Sequence, residues 1–218
     1  MTRAALVLAG GDPLASAQRH LLPATDLVVA ADSGLHQARD LGVHVDVVVG
    51  DFDSADPDAV AAAQNAGAVI ERHSAAKDAT DLELAIDAAV ARGATRITVV
   101  GGSGGRLDHL LANVGVLAAP RFADVVVDAL FREARVVVLQ GGREPEPVRG
   151  PQGSLVTLLP VGGDGRGITT SGLEYPLQHE DLPVGTSRGV SNLRGSGRAS
   201  VGLDAGTLLL IEPFGGER

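Results

Sequence analysis

The 218-residue chain is 44% hydrophobic, carries a net charge of −9 and contains no cysteine. The missing cysteine excludes a disulfide framework, a cysteine nucleophile and a thiolate metal site. The negative charge disfavours a nucleic-acid backbone as partner, favours a cationic substrate, and asks for Mg²⁺ to bridge any bound polyphosphate.

The length suits one large domain or two small ones. Only 2% of residues are aromatic, so the core must be built from Val, Leu, Ile and Ala. The first apolar run, 5–9, is closed by Gly10-Gly11-Asp12, too early for a signal peptide or a membrane span. A soluble cytoplasmic protein is expected. An alanine-rich amphipathic stretch near 14–20 comes next. The pattern then repeats: apolar 27–31 and helical 34–41, apolar 45–49 and helical 57–66, a weaker run 68–70 and helical 79–92. It closes with apolar 96–100, helical 107–118 and apolar 124–128. Runs that are apolar on both faces, spaced by helices, predict an α/β domain over 1–135. Its mostly parallel, Rossmann-like sheet would carry helices on both faces.

Gln140–Gly153 is polar and rich in Pro and Gly. Beyond it the runs 154–159, 173–177, 188–193, 198–203 and 207–211 follow one another without room for helices. That spacing predicts a smaller antiparallel β-sandwich domain over 136–218. A sandwich this thin needs support from the first domain or from a second subunit.

In open parallel sheets, ligands bind beyond the C-terminal ends of the strands. Asp32 follows run 27–31, Asp51 and Asp53 follow 45–49, and Gly101–Asp108 follows 96–100. Read as an extended segment, Asp51-x-Asp53 puts both carboxylates on one side, with Cα atoms roughly 6.5–7 Å apart. Paired carboxylates at that spacing suit a divalent cation. Ser54 and Asp56-Pro57 can equally serve only as a helix cap. Asp78 reads as an N-cap with Asp81 as its capping-box partner. Lys77, the chain's only lysine, stands beside Asp78 as a flexible point charge. Gly101–Gly105 can cradle phosphate, but Arg106-Leu107-Asp108 follows it, so it is no P-loop. There arginine can fork onto phosphate oxygens while aspartate holds a metal. His109 and Asn113 share a helix face that meets either ligand or solvent. Ala9–Asp12 lacks the dinucleotide fingerprint, and no histidine pair has zinc-site spacing.

Taken in order, several motifs resemble the thiamine pyrophosphokinase family. They are Ala31-Asp-Ser-Gly34, Val49-Gly-Asp-Phe-Asp-Ser54, Lys77-Asp-Ala-Thr-Asp81, Gly101-Gly-Ser-Gly-Gly-Arg-Leu-Asp-His109 with Asn113, Thr170–Tyr175 and Gly185–Asn192. The resemblance implies an α/β nucleotide domain followed by a β-sandwich, working as a homodimer with active sites near the subunit interface. The implied reaction is Mg²⁺-dependent transfer of the pyrophosphoryl group of ATP to the hydroxyl of thiamine, with AMP leaving. By carry-over, Asp51, Asp53, Asp78 and Asp81 hold Mg²⁺ and, with Asp108, form the catalytic set. Asp32, Lys77, Arg106, His109 and Asn113 contact the nucleotide. Tyr175, Ser191 and Asn192 bind thiamine, Tyr175 standing where many relatives carry tryptophan. Ser33 replaces a glycine common in this motif, and serine there is strained if the backbone needs positive φ. Two other functions stay open: a pyrophosphokinase of the same fold acting on a hydroxymethyl-pterin-like acceptor, and an inactive nucleotide- or thiamine-binding regulator.

Overall fold

The computed structural model describes residues 2–76 and 78–215. Residues up to Leu117 together with Asp124–Arg132 form one compact unit. Ala118–Ala123 and the residues from Glu133 onward form a second.

The first unit holds strands β1 (Ala4–Leu8), β2 (Leu27–Ala31), β3 (Val47–Gly50), β4 (Val69–Arg72), β5 (Arg96–Val100) and β6 (Val126–Leu130). They lie in the order β6-β5-β1-β2-β3-β4, and every neighbouring pair is parallel. Its helices are α1 (Gly34–Leu41), α2 (Pro57–Asn65), α3 (Asp81–Ala91) and α4 (Leu107–Leu117). The expected α/β fold is present. The stretch near 14–20 forms a 3-10 helix, Ser16–Leu21, rather than an α-helix. β2 and β3 are buried along their whole length, as their unbroken apolar runs require. Leu82, Ala85, Ile86 and Ala89 of α3 form one buried stripe. Helix α1 lies so close to β1 that a Cβ on Gly34 would sit 2.0 Å from the Leu8 carbonyl oxygen. Only glycine permits that approach.

Two helix starts follow side-chain chemistry. Asp56 caps α2, accepting from the Asp58 N–H at 3.0 Å, with Pro57 in the first turn. For α3 the expected cap at Asp78 is corrected: Thr80 accepts from the Glu83 N–H at 3.2 Å, and the helix begins at Asp81. Thr80-x-x-Glu83 is itself a capping-box sequence. Asp81 therefore lies in the first turn of α3.

The second unit contains β7 (Ala134–Gln140), β8 (Glu146–Pro147), β9 (Leu155–Pro160), β10 (Gly165–Ser171), β11 (Gln178–Leu182), β12 (Asn192–Leu193), β13 (Ser200–Gly202) and β14 (Thr207–Pro213). Four run in the order β12-β9-β14-β7 and four in the order β11-β10-β13-β8, all antiparallel. Inner faces of both sets share a core that includes Val137, Leu158, Ile168, Leu182 and Leu208. This is the expected sandwich, with two local differences. The run 173–177 is a connection rather than a strand; Leu173 and Leu177 are buried because that connection folds over the core. In 188–193 only Asn192–Leu193 pairs as strand. Among the described residues, no helix is long and apolar enough to cross a membrane.

Candidate active site

Strand β1 runs directly to β2 on one side, whereas β5 returns to its other side. The crevice at such a reversal is where a parallel sheet receives ligands. A cleft of about 380 Å³ opens there. Its walls include Gly10 and Gly11 after β1, Asp32 and Ser33 after β2, Asp81 at the start of α3, and Gly102–Gly104 and Arg106 after β5.

Three carboxylates converge beside it. Asp32, Asp51 and Asp53 each offer an oxygen within 4.8 Å of the others. Adjacent strands explain why. The Asp32 N–H donates to the Val49 carbonyl at 2.8 Å, joining the end of β2 to the end of β3. A Cβ on Gly50 would come within 3.0 Å of the Asp32 Cβ, so glycine lets the strand ends close up. The segment 51–53 is not extended as expected. Phe52 has a φ of 64°, and this left-handed residue turns the chain between the two aspartates.

Asp32 is 4% exposed, and its Oδ2 accepts from the Ser54 hydroxyl while its Oδ1 has no partner. A buried, unpartnered carboxylate oxygen is costly unless a cation or donor reaches it. Repulsion from the Asp51 carboxylate, then partial desolvation, then smaller contributions from Asp32 and Asp81 push the Asp53 carboxyl above its ordinary value of 3.8. An oxygen-only set with surplus negative charge fits a hard cation such as Mg²⁺. Asp32 also has positive φ, 44°, whereas Ser33 has a φ of −62°. The condition for strain at Ser33 is therefore not met.

The glycine-rich turn after β5 is held from several directions. The Gly102 N–H donates to the Gly10 carbonyl at 2.6 Å, and the Asn113 amide donates to the Gly102 carbonyl at 2.9 Å. Asn113 thus faces the loop, and with His109 it lines the cleft. Arg106 and Asp108 grip each other through two hydrogen bonds of 3.1 and 2.5 Å. That pairing, with the His109 N–H at 3.0 Å, holds the Asp108 carboxyl down at about 2. Asp108 therefore meets Arg106 directly and is not among the cleft-lining residues.

The other sequence-derived candidates separate as follows. Asp81 lines the cleft and adds to the field on Asp53. Asp78 is exposed and does not line the cleft. Lys77 lies outside the described residues. In the second unit, Tyr175 and Asn192 come together, and Ser191 precedes Asn192 in the chain. The Asn192 amide donates to the Tyr175 carbonyl at 2.7 Å and its Oδ1 accepts from the Tyr175 N–H at 3.0 Å. Asn192 is buried and clamps the Tyr175 backbone, while Tyr175 itself is 61% exposed. Ser191, with a φ of 61°, is exposed, and its N–H donates to Thr157 Oγ1 at 3.1 Å. Sequence reasoning missed Ser54 and Thr80 as cleft residues and did not group Asp32 with Asp51 and Asp53. Consecutive strands usually lie side by side, and that tendency was the available signal for the grouping.

Residues 18–127 match the family model for the thiamin pyrophosphokinase catalytic domain, and 145–208 match its vitamin B1 binding domain. The chain is 25% identical over 185 residues to the thiamine pyrophosphokinase of Bacillus subtilis, covering 85% of this chain and 86% of that protein. It is 30% identical over 156 residues to thiamine pyrophosphokinase 1 of Oryza sativa, covering 68% of this chain and 58% of that one. A thiamin pyrophosphokinase family protein from Enterococcus faecalis superimposes with a TM-score of 0.79 at 27% identity, covering 98% of this chain and 99% of that one. The crystal structure of the Bacillus subtilis protein has a TM-score of 0.83 at 23% identity, covering 97% and 99% of the two chains, which speaks for the fold alone.

Proposed function

The chain belongs to the thiamin pyrophosphokinase family, and from that premise we propose that it transfers the pyrophosphoryl group of ATP to the hydroxyl of thiamine, releasing thiamine diphosphate and AMP. The observation that carries the reading is the convergence of Asp32, Asp51 and Asp53 beside the cleft, with one buried oxygen unpartnered. These residues would hold Mg²⁺, with Asp81 nearby; Asp78 has less support because it is not part of the cluster that those three form. Bound Mg²⁺ supplies charge neutralisation for the polyphosphate.

The chain's own groups do the orienting. Asn113 fixes the Gly102 carbonyl and so the shape of the glycine turn, against which the phosphates lie. Arg106 stays fully charged at the cleft rim, and Asp108 aims it; this makes Asp108 a positioning residue. Turning Arg106 onto a phosphate oxygen exchanges one anionic partner for another. Thiamine is a cation, and the exposed Tyr175 ring offers it an electron-rich face, with Ser191 adjacent and Asn192 holding the tyrosine backbone.

The proposed active form is a homodimer. Helix α4 leaves Leu107 68% and Leu111 63% exposed and buries only Leu117. Because α4 also carries His109 and Asn113, a second copy seated there would cover the approach to the cleft. The cytoplasm is the proposed location. The direct test incubates the protein with Mg-ATP and thiamine and identifies both products. AMP with thiamine diphosphate is expected; ADP with a monophosphate would mean a different kinase reaction.

A further inference from the structure

Two of the three convergent carboxylates flank Phe52, whose left-handed φ of 64° is uncommon for a bulky residue. Such a conformation persists only where its surroundings enforce it. The enforcing group is on the neighbouring strand. Arg72 ends β4 and stands opposite Gly50 in the parallel register. Its guanidinium carbon lies 4.6 Å from the centre of the Phe52 ring. Its Nη1 donates to the Asp51 carbonyl at 3.1 Å. One planar cation thus holds two consecutive residues, one by its face and one by its edge. Both contacts fall on the turn that decides where the Asp51 and Asp53 carboxylates point, and neither touches a carboxylate oxygen.

We propose that Arg72 is a positioning residue for the cation site, fixing the Phe52 turn and thereby the mutual placement of Asp51 and Asp53. This rests on the reading of Asp32, Asp51 and Asp53 as that site. Lysine cannot replace it: an ammonium is a compact point charge without a plane to stack or a fork to aim. If the role were only to place positive charge nearby, lysine would serve as well. Residues that orient metal ligands without touching the metal typically alter affinity by about 10–100-fold when changed.

Mn²⁺ alone, titrated into the full, nucleotide-free chain and followed by electron paramagnetic resonance, reads the site without turnover. Arg72→Lys and Phe52→Leu are each expected to bind Mn²⁺ about tenfold more weakly than the parent, with the parent's circular dichroism and melting temperature. Arg121→Lys is the control: Arg121 makes the same kind of stack, on Phe122 at 4.5 Å in the 3-10 turn Pro120–Phe122, without flanking any of the three aspartates in sequence, and should bind as the parent does. In turnover, the Mg²⁺ concentration giving half-maximal rate should rise about tenfold in Arg72→Lys, while kcat at saturating Mg²⁺ is retained. If Arg72→Lys does not fold, Phe52→Leu decides. Parent-like Mn²⁺ affinity in the folded variants overturns the role of Arg72 and leaves the cation site standing. A parent chain that binds no Mn²⁺ overturns the cation site, and the inference with it.

Discussion

At the scale of single residues, the cleft is governed by charges that oppose one another. The Asp51 carboxylate raises the Asp53 carboxyl above 3.8. The folded chain therefore binds a proton at Asp53 more readily than the unfolded chain does. Stability falls as pH rises from about 3.8 through the folded value, and the penalty is complete above it. Asp53→Asn removes that repulsion. Without divalent metal at neutral pH, the variant should melt at or above the parent's temperature. The difference should vanish near the acid end of the window. Added Mg²⁺ should raise the melting point of the parent and leave the variant nearly unmoved. Turnover at saturating Mg²⁺ should drop by about a hundredfold or more, the scale on which groups that stabilise developing charge act. A variant that melts lower in chelator, or turns over like the parent, contradicts this account. Asp108 shows the opposite sign: Arg106 holds it at about 2, so its contribution is present above 3.8 and is lost as pH falls toward 2. Both partners are well exposed, so solvent and salt leave that contribution small.

At the scale of elements, the sandwich depends on one buried cation. Arg135 on β7 is 3% exposed. Its Nη1 donates to Glu212 on β14 at 2.6 Å, its partner in the antiparallel register. Its Nη2 donates to Glu146 on β8, in the other sheet, at 2.9 Å. The triad ties the two sheets together. Arg135→Ala leaves Glu212 with the Arg149 N–H as its remaining donor and takes the arginine from the partly exposed Glu146, and the loss should be about 3 kcal/mol, the low end for breaking a buried pair. Urea unfolding followed by circular dichroism measures it; a loss below about 1 kcal/mol would place the triad with ordinary surface ion pairs. None of this was legible in the sequence, because nothing local pairs residue 135 with 146 and 212. Strands β1, β2, β3 and β5 were legible, since burial on both faces leaves a nearly unbroken apolar run. β7 was missed although its run is as strong. It begins only three residues after β6, without the intervening helix that the alternation template demands. Thr80 was passed over for Asp78 because both are good caps, and only the Glu83 hydrogen bond decides between them.

At the scale of the whole molecule, the acidic balance that would help gather the proposed cation also opposes association. Each copy carries −9, so two copies repel through solvent, and any stable dimer must be held by apolar contact. Individual acids near strand ends were legible; their grouping was not, because Asp32 and Asp51 meet only through the order of β2 and β3 and the left-handed turn at Phe52 is a tertiary effect. The exposed α4 leucines are of the same kind. Their helical period reads as a core-facing stripe, yet Leu107 and Leu111 face outward. Burying one leucine stabilises by about 1.5–3 kcal/mol, so a symmetric contact through both would outweigh screened repulsion. Leu111→Glu should therefore shift the proposed dimer to monomer in sedimentation velocity, weakening association by at least about tenfold. It should leave the melting temperature of the monomer intact, since the side chain is already in solvent. Raising salt should tighten the parent dimer rather than loosen it, because screening removes repulsion while apolar contact persists. A parent dimer that salt dissociates would be held by ion pairs instead. A Leu111→Glu chain still dimeric at the parent's affinity would move the interface off α4 altogether.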